Sequence, residues 1–335
     1  MPVRIALDAM GGDLAPAAPV GAARTALLRR TGALEVILVG PAPVVEEALD
    51  AAGGPVPGLT VFPSGPGVPE GGHPATWMRA HPDSSVQTAA RLAATGEAEA
   101  AVSMGHTGAC LVAAVWEMGL LPGVVRPAAA VTFAFAPDMV FLDAGPNPDP
   151  GPEEIVQFAR LGAAYARVQF GVREPTVALL SNGAESGKGN RLARAAHDLL
   201  RQSGLRFVGN CEGNDLVRRP ADVVVTDGFT GNCVLKAIEG LGEHVVGQLR
   251  ALLPPSLPGR EEVLSGVAAL GDATQTGAPV AFLGVDGVFV PGHGRSGADA
   301  IAATLLRTEG AVRAGLAPAL RRALEPEGTK GATLA

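Results

Sequence analysis

Glycine-rich segments carry most of the side chains in this sequence that could do chemistry, and each follows an apolar run of strand character. The segment DGFTGN, residues 227–232, comes directly after ADVVVT and places two glycines within four residues. Glycine there allows either a tight turn or the close approach of a ligand to the backbone. Six such segments follow predicted strands, and they supply hydroxyl, amide, carboxylate and cationic groups. Groups of these types can bind an anion or stabilise an oxyanion.

Lys188 is the most suggestive cation, because it lies between two glycines in the middle of NGAESGKGN. Asn182 and Glu185 belong to the same segment. An ammonium group in this position could face an anionic substrate or the oxyanion that forms during acyl transfer. From the residues alone, a lysine exposed in a surface loop is an equally good interpretation.

The segment GHGRSGADAIAATLLR, residues 292–307, has the composition of an anion site. The Arg295 guanidinium, the Ser296 hydroxyl and glycine N–H groups precede a predicted helix N-terminus, whose dipole favours negative charge. Ser296 is an equally good helix N-cap, and His293 is either a donor to the site or an ordinary loop histidine.

A similar strand, glycine loop and helix are predicted in SMGHTGACLVAAV, residues 103–115. Thr107 is a candidate donor in this loop, and His106 either donates a proton or packs. Three carboxylates each end a predicted buried strand: Asp8, Asp143 and Asp227. They either orient donors and hold neighbouring loops or simply cap their own loops.

Standard nucleotide and metal motifs are absent from the sequence. GAESGKG resembles a P-loop, but three residues separate its glycines where four are required, and Gly189 stands where Ser or Thr should follow the lysine. The first glycine segment lacks G-x-G-x-x-G, and there is no G-x-S-x-G, no H-E-x-x-H and no Cys/His zinc spacing. We therefore expect no cofactor and no metal.

The elements that would position these segments alternate between short β-branched runs and Ala/Leu-rich periodic segments. Several strand candidates are apolar at every residue, as in a parallel sheet covered by helices on both faces. We predict an α/β fold with a three-layer, doubly wound, mostly parallel sheet, forming one domain over residues 1–323 with at most two lobes. Residues 324–335 are expected to form a flexible tail.

Convergence of the loops follows from this fold prediction. Since the carboxyl ends of parallel strands share one edge of the sheet, all six loops are expected to meet at one crevice. For any single loop, a glycine after a strand is more often simple turn chemistry.

Composition argues against several classes of function. The net charge of −7 disfavours nucleic acid as a partner, because phosphate backbones require a basic face. MPVRIALDAMGG lacks the apolar region of a signal peptide, and no run approaches the roughly 18–20 apolar residues of a membrane span, so we expect a cytoplasmic protein. Three cysteines, Cys110, Cys211 and Cys233, form no pairing pattern and are expected to be buried spectator thiols.

Several segments together resemble one family: IALDAMGGD, DSS at 83–85, SMGHTGA, LDAGPNPDPGPEEIVQFARLGAAYA, NGAESGKGN, FVGNCEGNDL, ADVVVTDGFTGNCVLKAIEG and GVDGVFVPGHGRSGADAI. Colinearly from about residue 3 to residue 307, the sequence is similar to the bacterial phosphate acyltransferases of phospholipid synthesis. The resemblance implies transfer of a long-chain acyl group from acyl carrier protein to inorganic phosphate, giving acyl phosphate. It also implies a homodimer with an isocitrate/isopropylmalate dehydrogenase-like fold, shared with phosphate acetyltransferases.

The chemistry implied by this resemblance agrees with the residues present. Phosphate is already a nucleophile near neutrality and a thiolate is a tolerable leaving group, so the enzyme has only to bind, align and stabilise. The candidate catalytic residues are Lys188, Asn232 and Asp227. The candidate phosphate- and substrate-binding residues are Gly11, Gly12, Thr107, Gly108, Asn147, Asn182, Glu185, Gly228, Thr230, Gly231, His293, Gly294, Arg295 and Ser296. Further candidates are Asp8, His106 and Asp143.

The sequence departs from the family pattern at three places. His106 stands where the family has Asn, His81-Pro82 where it has a Lys pair, and Gly145-Pro146-Asn147 where it has Gly-Ala-Asn. These differences leave open the role of His106 and that of the loop before Asp83.

Two surface features could serve partners. Residues 243–264 are either a helical hairpin that touches the membrane, as the family's can, or an ordinary Pro-terminated loop between helices; the residues near the tip would be Leu252, Leu253 and Leu257. Acyl carrier protein is acidic, so its docking to this net-negative chain would need a local basic patch. The candidates, which otherwise form a solvated face, are Arg201, Arg206, Arg218 and Arg219.

Two rival functions stay open from the sequence. The first is an acyl-CoA-dependent phosphate acetyltransferase, which differs in its preference for acyl-chain length. The second is a non-catalytic regulator that binds an acyl group or an anion. Replacement of Lys188 separates that regulator from an enzyme, because a pure binding protein has no turnover to lose.

Overall fold

The computed structural model describes residues 1–69, 71, 73–254, 256–274 and 276–324. By its internal contacts the chain divides into two compact units. The first unit consists of Met1–Pro127 and Gly284–Ala335, and the second consists of Ala128–Leu283. The tail predicted over residues 324–335 lies, from residue 325 onward, outside the described residues.

The strands are β1 (Val3–Asp8), β2 (Leu34–Gly40), β3 (Leu59–Pro63), β4 (Ala100–Ser103), β5 (Ala128–Phe133), β6 (Ala136–Leu142), β7 (Thr176–Leu180), β8 (Arg206–Cys211), β9 (Val223–Val225), β10 (Thr276–Leu283) and β11 (Phe289–Pro291). The α-helices are α1 (Ala17–Arg29), α2 (Ala42–Ala51), α3 (Pro74–Ala80), α4 (Ser85–Ala94), α5 (Thr107–Ala113), α6 (Pro152–Phe170), α7 (Arg191–Arg201), α8 (Gly228–Leu252), α9 (Arg260–Thr274), α10 (Ala298–Arg313) and α11 (Leu316–Leu324). A π-helical turn, Ala114–Met118, continues α5, and a 3₁₀ helix covers Gly213–Arg218.

The first unit is built on a parallel sheet with the strand order β11-β4-β1-β2-β3. Helices α1 and α10 pack together, and α4 packs against the central strands β1, β2 and β4. Every residue of β4 is buried, as is β1 apart from Arg4. Burial of successive residues, whose side chains point to opposite faces, places apolar surroundings on both sides of these strands.

The second unit has the strand order β10-β5-β6-β9-β7-β8. Strands β6, β9, β7 and β8 run parallel, whereas β5 and β10 add an antiparallel edge. Helix α6 packs on β6 and β9 and contacts α7, and α8 packs against α9. The short strand β9 is fully buried at the centre of the parallel part, with β6 on one side and β7 on the other.

The predicted α/β class with mostly parallel strands is confirmed, and its strands are divided between two sheets. Strand β10 and helices α3 and α11 are additions that the sequence patterns did not predict. Strand β10 was missed because Gly277 and Pro279 interrupt its pattern, and its place at the sheet edge is where proline is tolerated in a strand. Among the described residues, no helix combines the length and the apolar character needed to cross a membrane.

Helix α8 begins at Gly228, four residues before the Asn232 start that the periodicity indicates, so most of DGFTGN is helix and not loop. Asp227 is its N-cap: Thr230 N donates to Asp227 Oδ1 at 2.8 Å, and Thr230 Oγ1 donates to Asp227 Oδ2 at 2.8 Å. A capping carboxylate satisfies N–H groups that the first turn leaves free and thereby stabilises the helix start. The sequence pattern does not indicate a helix at Gly228 and Gly231, because glycine has a low helix propensity.

Two glycines let α8 approach the loop after β6. A Cβ on Gly231 would collide with the main-chain oxygen of Asp143, and one on Gly228 would lie 2.6 Å from Asp143 Oδ2. Gly228 N donates to Asn147 O at 2.7 Å, and Gly231 N donates to the main-chain oxygen of Asp227 at 2.9 Å. The close backbone approach indicated by these glycines is therefore made by the protein's own loop.

Alanine substitution in α8 tests this packing. Gly231→Ala should lower the free energy of unfolding by about 1–3 kcal/mol or more, because the added methyl group meets main-chain atoms that cannot rotate away. Gly240→Ala, in the same helix with open space around it, should instead raise it by about 0.5–1 kcal/mol through helix propensity. Urea unfolding of both variants measures the difference, and equal effects would contradict the packing argument.

Candidate active site

In the first unit, the buried carboxylate of Asp8 joins the loop after β1 to the end of the adjacent strand β4. Ser103 Oγ donates to Asp8 Oδ2 at 2.7 Å, and Met10 N donates to Asp8 Oδ1 at 3.0 Å. Gly105 N in turn donates to Ser103 Oγ at 3.0 Å. Burial raises the pKa of Asp8, and these hydrogen bonds oppose the rise. Asp8 therefore orients the Ser103 hydroxyl on the neighbouring strand and also caps its own loop.

Glycine backbones fill the space between these loops. A Cβ on Gly11 would lie 2.7 Å from Asp8 Oδ2 and 2.8 Å from Gly105 N. Gly12 has φ +98°, and a Cβ there would lie 3.0 Å from Gly294 O. Gly294 O also accepts a hydrogen bond from Asp13 N at 2.9 Å. Gly11, Gly12 and Gly294 are thus brought together within the first unit.

His106 is the N-cap of α5 in this structure, since Gly108 N donates to His106 Nδ1 at 3.1 Å. An accepting Nδ1 leaves the proton of a neutral imidazole on Nε2. His106 and Thr107 are both exposed at the start of α5. The carboxyl end of β4 therefore presents an imidazole and a hydroxyl to solvent.

The alternative that Ser296 caps α10 is wrong. Gly297 is the N-cap of that helix, and no side chain makes the capping hydrogen bond. Ser296 N instead donates to His293 O at 2.9 Å within a turn, and His293 and Arg295 are exposed. The imidazole, the guanidinium and the hydroxyl thus lie on one turn just before the α10 N-terminus.

In the second unit, the carboxylate of Asp143 is fully buried where β6 ends. Its Oδ2 accepts Asn147 N at 2.7 Å and Asn147 Nδ2 at 2.8 Å, and its Oδ1 accepts Ala129 N at 2.9 Å and Gly145 N at 3.4 Å. Burial raises the pKa of Asp143 to about 6, against the opposing effect of these donors. The predicted residue Asn147 is buried beside Asp143, and its amide Nδ2 donates a hydrogen bond to this carboxylate.

Asp227 precedes α8 as its N-cap, and Thr230 and Asn232 lie near the start of the helix. Asn232 is exposed, and its side chain lies about 3.9 Å from the position of a Cβ on Gly145. The amide of Asn232 therefore stands beside the loop that Asp143 holds, at the carboxyl edge of the parallel strands. Asp227 is occupied as the helix cap, so its role here is to fix this turn.

The loop after β7 carries Lys188 on a framework of local hydrogen bonds. Gly189 N donates to Asn182 Oδ1 at 2.8 Å, and Lys188 N donates to Glu185 O at 3.0 Å. Asn210 Nδ2 on the neighbouring strand also donates to Glu185 O, at 2.9 Å. The Lys188 side chain is exposed and forms no ion pair with any residue in the described part of the chain. Its ammonium group can therefore meet an anion from solvent.

A cavity of about 390 Å³ opens between the ends of β7 and β9. Its polar lining comes from the loops and helix starts: Ser181, Asn182, Asn190, Thr226, Asp227 and Thr230. Its apolar lining comes from β7 and three helices and includes Ile155, Leu179, Leu180, Ala193, Ala196 and Val234. The sequence patterns identified Asn182, Asp227 and Thr230 but not the apolar wall, which no contiguous segment supplies.

Three polar residues of this cavity, Ser181, Asn190 and Thr226, were not among the predicted site residues, and Ser181 differs from the other two in its bonding. Its buried Oγ has no hydrogen-bond partner within the described residues. The available signal was a hydroxyl residue directly after an apolar strand, the same position that draws attention to Asn182 one residue later.

The two buried cysteines offer no activated nucleophile. Cys110 and Cys211 are buried as predicted, and burial raises the pKa of each thiol to about 12. The prediction for Cys233 is wrong: it is exposed, because it lies on the outer face of α8 one residue after Asn232. No group of His, Cys, Asp or Glu side chains in the described part of the chain is arranged to hold a metal ion.

The candidate residues thus fall into two groups. The first unit brings together Asp8, Gly11, Gly12 and Gly294, with His106, Thr107, Gly108, His293, Arg295 and Ser296 on the same three loops. The second unit brings together Asp143, Asn147, Asn182, Glu185, Lys188, Asp227, Gly228, Thr230, Gly231 and Asn232. Convergence of the predicted loops is observed within each unit, and a single crevice shared by all six stays a prediction.

Asp143 should leave a signature in the pH dependence of stability. Its folded pKa of about 6 exceeds the ~3.9 of an unfolded aspartate, so between these values the folded chain holds a proton that the unfolded chain releases. The contribution of this group to stability is therefore complete below about pH 4 and is lost as the pH rises through about 6. Urea unfolding across this range should give a flatter profile for Asp143→Asn than for the parent chain. Exposed Asp138→Asn, on strand β6 itself, should follow the parent, and parallel profiles for all three would refute the assignment.

Comparison of the sequence with known proteins identifies the family. A family model described as "Fatty acid synthesis protein" matches residues 3–318. The phosphate acyltransferase of Myxococcus xanthus is 41% identical over 343 residues, covering 96% of this chain and 94% of the relative. The phosphate acyltransferase of Thermus thermophilus is 42% identical over 330 residues, covering 96% of this chain and 98% of the relative.

Solved structures agree on the fold. A phosphotransacetylase from Streptococcus pyogenes superimposes with a TM-score of 0.63 at 16% identity, covering 93% of this chain and 94% of the other. The EutD phosphotransacetylase from Staphylococcus aureus gives a TM-score of 0.59 at 15% identity, with the same coverage. At these identities the likeness concerns the fold alone. The match of the family model and the relatives more than 40% identical along nearly the whole chain establish that the protein belongs to the phosphate acyltransferase family and is an acyltransferase.

Proposed function

We propose that the protein transfers a long-chain acyl group from acyl carrier protein to inorganic phosphate and releases acyl phosphate for phospholipid synthesis. The observation that carries this proposal is the exposed Lys188, without an ion pair among the described residues, next to Gly189 at the rim of a cavity with an apolar wall. The ammonium group supplies positive charge that attracts an anionic nucleophile and stabilises a developing oxyanion, and the cavity supplies an apolar surface for an acyl group.

The reaction requires no nucleophile from the protein. An oxygen of the phosphate dianion attacks the thioester carbonyl carbon, and the carbonyl electrons move onto oxygen to form a tetrahedral oxyanion. The oxyanion collapses, the carbon–sulfur bond breaks, and the carrier leaves as a thiolate that takes a proton from water. The high pKa values of Cys110 and Cys211, which keep both thiols protonated, are consistent with this direct displacement.

In the second unit, some side chains stabilise the charge that develops in the reaction and others hold them in position. Lys188 stabilises the oxyanion or the attacking phosphate, and the exposed Asn232 amide donates a further hydrogen bond. Asp227 fixes the turn that carries Thr230 and Asn232, and Asn182 holds the Lys188 loop through Gly189 N. Pre-positioning of this kind lowers the barrier because the donors need not reorganise when charge develops.

Within the first unit, the turn at residues 293–296 is a separate candidate for binding phosphate. Arg295, Ser296 and His293 precede the N-terminus of α10, an arrangement that favours an anion. Thr107 and the exposed imidazole of His106 provide further donors at the end of β4. These groups stay candidates for binding phosphate.

Acyl carrier protein is the proposed donor, and the candidate docking arginines differ in their pairing. Arg219 forms a salt bridge with Asp222 at 2.7 Å and Arg218 a longer one with Asp215 at 3.9 Å, whereas Arg201 and Arg206 are exposed without an ion pair among the described residues. Arg201 and Arg206 are therefore the better candidates for an acidic partner.

A homodimer and a transient membrane-surface contact belong to the same proposal. Helices α8 and α9 pack as a helical hairpin in which α8 ends at Leu252 and α9 begins at Arg260. Leu252 is exposed, and Leu253 and Leu257 are half-buried near the tip of the hairpin. The exposed Leu252, with Leu253 and Leu257 half-buried beside it, would suit the headgroup region of a bilayer, where the acyl phosphate would be consumed.

Replacement of Lys188 tests the catalytic proposal. Purified protein is incubated with hexadecanoyl–acyl carrier protein and labelled phosphate, and acyl phosphate is trapped with hydroxylamine. Lys188→Ala should lower kcat by about 10²–10³-fold, the usual effect of losing one oxyanion donor. Arg191→Ala, which removes an exposed cation three residues away, should change kcat by less than about threefold because it lies outside the glycine loop.

Other outcomes would redirect the assignment. Product from acetyl-coenzyme A but not from the carrier substrate would favour a phosphate acetyltransferase. Turnover that is unchanged in Lys188→Ala would remove the lysine from the mechanism. Absence of turnover with either donor would leave a protein that only binds an acyl group or an anion.

A further inference from the structure

We propose that the cavity of the second unit holds the hydrocarbon chain of the acyl group and that Ala196 sets the length of chain it accepts. The inference rests on the proposed acyl transfer and adds a binding subsite and a specificity-determining residue to it. It concerns only the cavity between β7, β9, α6, α7 and α8, all within Ala128–Leu283.

The cavity changes character from its rim to its interior. Asn182 and Asn190 are exposed, and they mark the rim at the loop after β7 and the start of α7. Ile155, Leu179 and Ala196 are no more than 2% exposed, and they mark the inner wall. A polar rim over an apolar interior suits a ligand with one polar end and a hydrocarbon body.

Other occupants fit this lining less well. Phosphate would need donors throughout, and the inner wall of Ile155, Leu179 and Ala196 provides none. The phosphopantetheine arm of the carrier contains amide groups that would lose their hydrogen bonds to water inside an apolar cavity. A hydrocarbon chain has no such groups, and its burial is favourable by about 25 cal/mol per Å² of apolar surface.

The rim can receive the reacting end of the acyl group. Ser181 lines the cavity, and its buried Oγ has no partner in the described part of the chain; Thr230 and Asp227 line the cavity at the start of α8. Gly189, which also lines the cavity, directly follows Lys188. A chain that enters the cavity therefore leaves its carbonyl group at the loops that carry the proposed catalytic residues.

Ala196 is placed to control depth. It lies on the inward face of α7, fully buried, where a small side chain leaves the cavity open. Leucine at this position would extend into the cavity and exclude the far end of a long chain. Ala195, the preceding residue of the same helix, is exposed and provides a matched site for the same substitution.

The test compares Ala196→Leu with Ala195→Leu on donors of different length. In Ala196→Leu, kcat/KM for hexadecanoyl–acyl carrier protein should fall at least about tenfold relative to kcat/KM for the hexanoyl donor. In Ala195→Leu this ratio should stay within about twofold of the parent value. Equal losses for both donors in Ala196→Leu, or no loss, would overturn the proposal.

A cavity-enlarging variant covers the case in which Ala196→Leu does not fold. Ile155→Val removes one methyl group from the inner wall and should shift the ratio toward the longer donor. An unchanged ratio in that variant would overturn the subsite. A change only in KM for the carrier, identical for all chain lengths, would assign the cavity to the carrier's arm instead.

Binding separates this inference from the proposed function. Hexadecanoate should displace a fluorescent fatty acid from the parent chain and from Ala195→Leu, and should do so at least about tenfold more weakly from Ala196→Leu. If displacement shows this pattern but the protein has no turnover, the cavity binds the chain and the proposed acyl transfer is wrong. If the protein has turnover but the fluorescent fatty acid is displaced equally from all three proteins, the proposed acyl transfer stands and the chain-binding cavity is wrong.

Discussion

The hydrogen bonds that converge on the Asp143 carboxylate hold the end of β6, the turn to Asn147 and the first turn of α8 in one arrangement. A carboxylate without solvent is tolerated only when donors surround it, so the turn has to bring its N–H groups inward. The turn then presents Asn147 O to Gly228 N, and α8 starts at that contact. The positions of Thr230 and Asn232 depend on this chain of contacts, although neither touches Asp143 in a hydrogen bond.

The first unit uses a related device at Asp8. There too a central parallel strand ends in a buried carboxylate, but the principal partner is the Ser103 hydroxyl on the neighbouring strand. The same hydroxyl accepts a hydrogen bond from Gly105 N and so also positions the loop after β4. In each unit a buried acidic residue accepts hydrogen bonds from its own loop and from a neighbouring strand, and glycines leave space beside it. Segments held in this way, directly or through one further contact, can carry exposed groups such as His106 or Asn232 without themselves being loose.

The sequence patterns predicted the elements that local residue preferences determine, and they missed the features that depend on contacts between distant parts of the chain. LEVILVG and DVVVT read as strands because β-branched residues buried on both faces form a continuous apolar run. The start of α8 was not predicted because the reason for Gly228 and Gly231 lies at Asp143, far away in the chain. The apolar cavity was not predicted for the same reason, since Ile155, Leu180 and Ala196 meet only once α6, β7 and α7 have packed. Cys233 illustrates a smaller limit: a residue with apolar neighbours in sequence can still face outward from a helix.

The order of the chain has a consequence for how the protein is made. Strand β11 pairs with β4, yet the whole of Ala128–Leu283 separates the two in sequence. During synthesis the outer edge of β4 therefore stays unpaired until the second unit has emerged, and an unpaired edge can pair with wrong partners. The entropic cost of closing so long a loop grows only slowly with its length, and it falls if the intervening segment is already compact. The turn that carries His293 and Arg295 comes after β11, so it is the last of the six glycine-rich loops to reach its place.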